Sequence, residues 1–455
     1  MDAGPYTASM DRRPPPSDVS AGVGLAGLLG LAAWILFCRN YAPVADLLGL
    51  PGPRGPLSGP YASLAAMAFT AGPMVAWSLL VDRVHLRPST GIDWANPAPP
   101  AATRAISFTK LTGLWATWAI IAGLYCLGRW YWDGQYLFAM QVLGIALVPM
   151  LLLSVPYVLW LDRRMIEPRD HCWHFGVLLL GREPFDADEV KKHWRAWIIK
   201  GFFGAFMISI LPGGFAQVVE ADLAGMADRP AALAWFLINL LFVVDVQIGT
   251  VGYLVTFRPL DAHIRSGNPF LGGWVAALLC YPPFVFGFMG GNGLLAYEVH
   301  TPGWAFWLEG HTLLTALWGT ALVCLTGIYA WATVAFGIRF SNLTYRGVLT
   351  HGPYRFTRHP AYVSKNLFWW LSTLPFLVGT DGTMVDAIRN TFFLGLVSAI
   401  YYWRARTEEA HLLAEDPKYR EYHAWMDRHG LITAPLARIA RWVRSSRPVL
   451  PQPAE

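Results

Sequence analysis

Ten stretches of roughly 20 mostly apolar residues run through this 455-residue chain, and few folds can hold so many. The hydrocarbon core of a bilayer is about 30 Å thick and an α-helix rises about 1.5 Å per residue, so about 20 apolar residues make one crossing. The stretches lie near 21–38, 61–81, 106–128, 135–160, 196–219, 231–257, 271–294, 311–338, 361–380 and 384–403, the first and ninth being short. In lipid every backbone N–H and C=O must be satisfied within its own segment, which selects helices. The pattern predicts an all-α fold: a polytopic integral membrane helical bundle with about ten transmembrane helices. The apolar run 171–181 is too short to cross and is expected at the interface.

Composition agrees. Hydrophobic residues make up 55% of the chain and charged residues 14%, against roughly 25% charge in soluble domains. Mean hydropathy is +0.37. The 22 Trp suit membrane–water interfaces. The net charge of +5 is carried in short loops between apolar runs, so it marks topology rather than nucleic-acid binding. The five cysteines (Cys38, Cys126, Cys172, Cys280, Cys324) show no CxxC pair or metal spacing.

Lys and Arg alternate between loops. Arg163, Arg164, Arg169, Arg182, Lys191, Lys192 and Arg195 follow the fourth run, and Arg339, Arg346, Arg355 and Arg358 follow the eighth. Residues 295–310 hold Glu298 and Glu309 with no Lys or Arg. Cytoplasmic loops carry the positive excess, which puts both termini and the even-to-odd loops in the cytoplasm. Residues 1–20 read as a disordered, Pro-rich tail, 21–338 as transmembrane helices one to eight, 339–430 as a catalytic segment, and 431–455 as a basic, Pro-containing tail. The expected location is a bacterial inner membrane, with the catalytic segment facing the cytoplasm.

Two charged clusters flank the last two runs. The first is Gly352-Pro353-Tyr354-Arg355 followed by Arg358-His359-Pro360-Ala361-Tyr362; the second is Arg404 followed by Glu408-Glu409 and Leu412. A helical hairpin returns its ends to one side, so the clusters are expected to meet. Pro360 disfavours helical backbone at His359 and fits the first turn of the next helix. Free N–H groups at that helix start, with Arg355 and Arg358 beside them, predict an anion site. Glu408 lies four residues after Arg404 and can pair with it, leaving Glu409 for a ligand. Tyr401, Tyr402, Trp403, Tyr419 and Tyr422 offer aromatic faces, which attract cations.

These residues resemble the isoprenylcysteine carboxyl methyltransferase and phospholipid methyltransferase superfamily, whose members carry GPYR-x-x-RHP-x-Y before a helical hairpin and R-x-x-x-EE-x-x-L after it. The likeness covers about a fifth of the chain. It implies a transferase that holds S-adenosylmethionine at the cytoplasmic face and takes a lipophilic substrate from the bilayer. Carried over residue by residue, it implies cofactor binding by Arg355, His359, Pro360, Tyr362, Glu408 and Glu409, and a substrate or cofactor carboxylate oriented by Arg358 or Arg404. Two positions depart from the family pattern: Ser364 stands where Gly is usual, and Asp416-Pro417 stands before Tyr419 where Phe-Gly is frequent. The acceptor stays open between an isoprenylcysteine carboxylate, a lipid amine and a thiol.

Other readings compete. Membrane sterol-type reductases that use NADPH share the general build, but carry RH-x-N-Y and a Cys where this chain has RHPAY and the Glu-Glu pair. A transporter or assembly factor explains the spans but not the paired clusters, and no inverted repeat supports it. Asp245, deep in the sixth run, is read first as a polar contact between helices and second as a substrate group. Asn342-Leu343-Thr344 matches a glycosylation sequon but is expected in the cytoplasm.

Overall fold

The computed structural model describes residues 13–52 and 54–445, and its regular structure is almost wholly helical. Among those residues the α-helices are α1 (Ala21–Arg39), α2 (Tyr41–Leu47), α3 (Pro60–Leu80), α4 (Pro100–Leu127), α5 (Tyr136–Asp162), α6 (His171–Leu180), α7 (Ala187–Glu220), α8 (Pro230–Leu254), α9 (Leu271–Leu278), α10 (Phe284–Phe288), α11 (Trp304–Trp307), α12 (Thr312–Phe336), α13 (Pro360–Thr373), α14 (Met384–Glu415), α15 (Pro417–His429) and α16 (Thr433–Ser445). Seven of them, α1, α3, α4, α5, α7, α8 and α12, are long and apolar enough to cross a bilayer. They form a helical bundle whose outer face is apolar. On α5, for example, Ile145, Leu152 and Leu153 are each about two-thirds exposed (66%, 68% and 66%), as a lipid-facing helix requires.

These seven match the first six expected runs and the eighth. The other three differ in kind. The stretch 271–294 is two short helices, α9 and α10, parted by Pro282-Pro283 and ended by Gly290 and Gly291 at positive φ. Apolarity permits a span there, but proline removes backbone donors and glycine breaks the helix. The ninth run yields α13, 14 residues long and closed by Leu374 in left-handed backbone. At about 1.5 Å per residue it is roughly 21 Å long. The tenth yields α14, a single helix of 32 residues that carries Arg404, Glu408 and Glu409 on its last turns.

The core is built on α8 and α12, which pack along each other, with α7 against α8 and the α1–α3 pair beside them. Polar groups inside are paired across helices. Thr333 of α12 donates to Asp245 of α8; Gln247 donates to the Ser63 carbonyl (3.2 Å). Lys110 of α4 bridges Asp162 at the end of α5 (2.6 Å) and Asp170 at the start of α6 (3.1 Å). The short α6 is thereby fixed to the bundle, with Asp170 also capping it through the backbone N–H groups of Cys172 and Trp173.

Two loops meet at one end of the bundle. Ser266–Gly267 (β1) pairs antiparallel with Thr344–Tyr345 (β2). Behind this ribbon Arg346 is buried and donates to the carbonyls of Gly252 (2.7 Å), Ile338 (2.8 Å), Phe340 (3.0 Å) and Val255 (3.4 Å), and to that of Ala262. Arg339 donates to Asp261 (2.6 Å) and to the Arg346 carbonyl (3.0 Å). One guanidinium thus satisfies the frayed carbonyl ends of two helices and the loops that follow them.

Part of the N-terminal tail is held against the bundle. Of the expected disordered segment 1–20, residues 1–12 lie outside the described residues, but 13–20 are tied down. The Asp18 carboxylate accepts from the Val348 N–H (2.7 Å) and pairs with Lys418 (2.5 Å). The Thr350 hydroxyl donates to the Pro15 carbonyl (2.7 Å) and Ser17 bonds with His351 (2.9 Å). In the C-terminal tail, α16 occupies 433–445, while 446–455 lie outside the described residues. The Arg346 arrangement predicts that Arg346→Met destabilises the protein by roughly 3 kcal/mol or more, because several buried carbonyls lose their donor. Thermal unfolding in detergent measures this; an unchanged midpoint refutes the role given to Arg346.

Candidate active site

The expected hairpin forms, and its two clusters meet. Gly352 sits at φ +59°, and a Cβ there would stand 3.2 Å from the Trp331 indole, so the turn into the first cluster needs glycine. Pro360 opens α13 as its first residue, with His359 outside helical backbone (φ −128°, ψ 58°). From α14, Arg404 pairs with Glu408 at 3.3 Å, as their four-residue spacing requires. Asp416-Pro417, the departure in the second segment, is a helix start: Asp416 accepts from the Lys418 N–H (2.8 Å) and Pro417 takes the first position of α15. The other departure, Ser364, is buried and bonds back to the Ala361 carbonyl (3.3 Å) within its own helix.

Between the clusters lies a cavity enclosing about 1270 Å³ of space free of protein atoms, part of it open to the outside. Arg358, His359, Pro360, Tyr362, Arg404 and Glu408 all line it. Tyr362 donates to Glu408. The His359 and Tyr362 rings stack at 5.6 Å, and the Arg404 guanidinium lies over Tyr362 at 5.1 Å and Tyr281 at 5.4 Å. Tyr354, Tyr401, Tyr419 and Tyr422 complete an aromatic wall.

Glu408 pairs with Arg404 as expected, but the expectation for Glu409 fails. Glu409 is not free for a ligand. It is 3% exposed and accepts from Arg358 Nε (2.6 Å), His359 Nε2 (3.0 Å) and Arg406 (2.6 Å). Burial alone raises a carboxyl, but the His359 hydrogen bond and the neighbouring guanidinium charges pull Glu409 down to about 2. Glu408 is the acid that faces the cavity. Tyr362 and Arg404 share its Oε1, and Oε2 takes no hydrogen bond among the described residues. The reason is helix geometry: adjacent residues point about 100° apart, so only one of the pair shares the face of Arg404 and Tyr401.

Other expectations are corrected. Arg355 is exposed and off the cavity lining, and Arg358 directs its guanidinium at Glu409 and Asp427 (2.6 Å each). The expected anion site of both arginines at the start of α13 is therefore not assembled. Tyr402 (69% exposed) and Trp403 (41%) face outward, off the Tyr401–Arg404 side of α14.

Several lining residues were not singled out from sequence. Asn342, visible there only as a sequon, accepts from Arg404 (2.6 Å) and donates to the hydroxyls of Tyr253 (2.6 Å) and Tyr281 (2.9 Å). Its amide is thus committed to the site. Lys365, Tyr329 and Thr333 also line the cavity; a lysine within the apolar stretch of α13 was a signal available for the first of them. His411 bonds with Ser266 (2.9 Å), and burial lowers it to about 4, so it stands neutral at pH 7.

No family model, curated protein or solved structure matches this chain.

The two acids are predicted to behave differently. Glu409→Gln lowers stability by about 3 kcal/mol at pH 7, because it leaves buried cations unpaired, whereas Glu408→Gln costs less, because Arg404 keeps Asn342 as an acceptor and the glutamine carbonyl can take the place of Oε1. The folded value of Glu409 lies below the ordinary 4.5, so its contribution is complete above pH 4.5 and is lost as pH falls towards 2. Thermal unfolding of both variants from pH 7 to pH 3 checks this. Equal losses, or a gap that widens on acidification, contradict it.

Proposed function

We propose that this protein is a membrane-embedded methyltransferase that uses S-adenosylmethionine and acts on a lipophilic acceptor reaching the cavity from the bilayer. The observation that carries the reading is the Glu408 carboxylate, open to the cavity on one oxygen among tyrosine rings, with the Arg404 guanidinium beside it. S-adenosylmethionine combines a sulfonium, an ammonium and a carboxylate. Carboxylate and ring faces suit its cations, and a guanidinium suits its anion. The residues therefore fit the group, and the motifs resemble those of the isoprenylcysteine carboxyl methyltransferase and phospholipid methyltransferase superfamily.

When bound, the cofactor supplies an activated methyl group, and no covalent attachment to the protein is needed. The chain's part is alignment and exclusion of water. Glu408 and Tyr362 hold the cationic portion. Arg404, braced by Asn342, orients a carboxylate. Glu409 acts at one remove, fixing Arg358 and His359. Acceptor classes consistent with the site are an isoprenylcysteine carboxylate, a lipid amine and a thiol.

The topology completes the proposal. Asp18, before α1, pairs with Lys418, beyond α14, which supports both ends of the described chain lying on one side of the membrane. The positive excess of 339–358 supports a cytoplasmic position for that side, with the cavity facing the cytoplasm from a bacterial inner membrane.

Calorimetry on the purified full chain tests the reading. S-adenosylmethionine is expected to bind wild type. Glu408→Gln is expected to weaken it at least about tenfold, or roughly 1.4 kcal/mol, and Arg355→Ala to change it by less than about twofold. Binding of NADPH with none of S-adenosylmethionine overturns the proposal in favour of a reductase.

A further inference from the structure

The cavity has a second polar level that the cofactor reading leaves unused. Lys365 lies on α13 one turn beyond Tyr362 and therefore on the same face. Its ammonium rests against three rings, at 5.4 Å from Tyr329, 5.2 Å from Trp369 and 5.6 Å from Tyr401. Among the described residues no carboxylate lies within ion-pairing distance of it and no hydrogen-bond acceptor reaches it. This distinguishes Lys365 from the other cations of the site, since Arg358 is bound to two carboxylates and Arg404 to one carboxylate and an amide. The nearby acid, Asp245, does not line the cavity, and its carboxylate accepts from Thr333, which does.

A charge kept among rings, without an acceptor, gains from any anion that reaches it. Cation–π contact offsets only part of the loss of water. The level of Lys365 is also the apolar one: Trp369 and Trp370 follow it on α13, and Tyr329 stands about seven residues, or roughly 10 Å, before the end of α12. A ligand reaching Lys365 must carry its anionic group next to hydrocarbon.

We infer that Lys365 is a specificity-determining residue that binds an anionic group, a carboxylate or a phosphate, on the lipophilic acceptor. Tyr329 and Thr333 line the same level, with Asp245 fixing Thr333 from behind. The inference rests on the methyltransferase reading for the word acceptor, but the binding site itself does not depend on it. A lipid amine is then disfavoured, because Lys365 repels a second cation.

The test uses the full-length protein in a non-ionic detergent and four probes with one chain in common: oleate, oleyl phosphate, oleyl alcohol and oleylamine. Binding is read by thermal stabilisation against ligand concentration, with S-adenosylmethionine affinity measured in parallel. Wild type is expected to bind at least one of the two anions about tenfold more tightly than the alcohol or the amine, and the better anion says which group is recognised. Lys365→Gln is expected to abolish that preference and leave S-adenosylmethionine affinity within about twofold; Lys365→Arg is expected to keep most of it. Equal binding of all four probes by wild type overturns the inference, and so does a preference unchanged in Lys365→Gln. A loss of S-adenosylmethionine binding equal to the loss of anion binding also overturns it, since Lys365 then serves the cofactor. If Lys365→Gln fails to fold, the wild-type preference and Lys365→Arg decide. Failure of wild type to bind S-adenosylmethionine refutes the methyltransferase reading and leaves the anion result to stand or fall separately.

Discussion

Glu409 ties the two ends of the hairpin together. It accepts at once from Arg358 and His359, which precede α13, and from Arg406, on its own helix. Without it, the loop 352–359 and the last turns of α14 would present like charges to each other beside a water-accessible cavity. A buried ion pair is weak evidence for net stability, but one with a missing partner is costly. The placement of Arg358 and His359, and with them of Tyr362 against Glu408, follows from this one carboxylate. Arg346 plays a matching part below the site, where its guanidinium gathers carbonyls from three segments and sets the loop that supplies Asn342.

Adjacent acids on a helix cannot do the same work. One shares a face with Arg404 and opens to the cavity; the other turns into the protein and organises it. The polar groups thereby fall into layers: Glu409 with Arg358 and Arg406 outermost, Glu408 with Tyr362 and Arg404 at the cavity wall, and Lys365 among rings beyond them. This order suits a polar cofactor from water and an apolar acceptor from lipid, each meeting the chemistry that suits it.

Much of this was legible in the sequence. Run length and loop charge are set by bilayer thickness and by the cost of unpaired backbone in lipid, both local properties. The seven long apolar helices could therefore be read directly, and so could the Arg404–Glu408 pair and the Pro360 helix start. Apolarity does not report continuity, which is why 271–294, interrupted at Pro282-Pro283, read as one span. Spacing does not tell which of two neighbouring acids faces inward; that depends on the rotation of α14 against α13. Asn342 and Tyr281 enter the site from loops and a broken helix, whose positions no periodicity encodes. The order of residues 13–20 depends on Val348 and Lys418, more than 300 residues away.

At issue is whether the cavity between the two clusters holds S-adenosylmethionine. Ultraviolet crosslinking of radiolabelled S-adenosylmethionine to the full chain, with the adduct mapped by mass spectrometry, tests it most directly. The account predicts label within residues 339–362 or 401–422, competed by unlabelled S-adenosylmethionine and not by NADPH. Label confined to residues 21–338, or competed by NADPH alone, would contradict it.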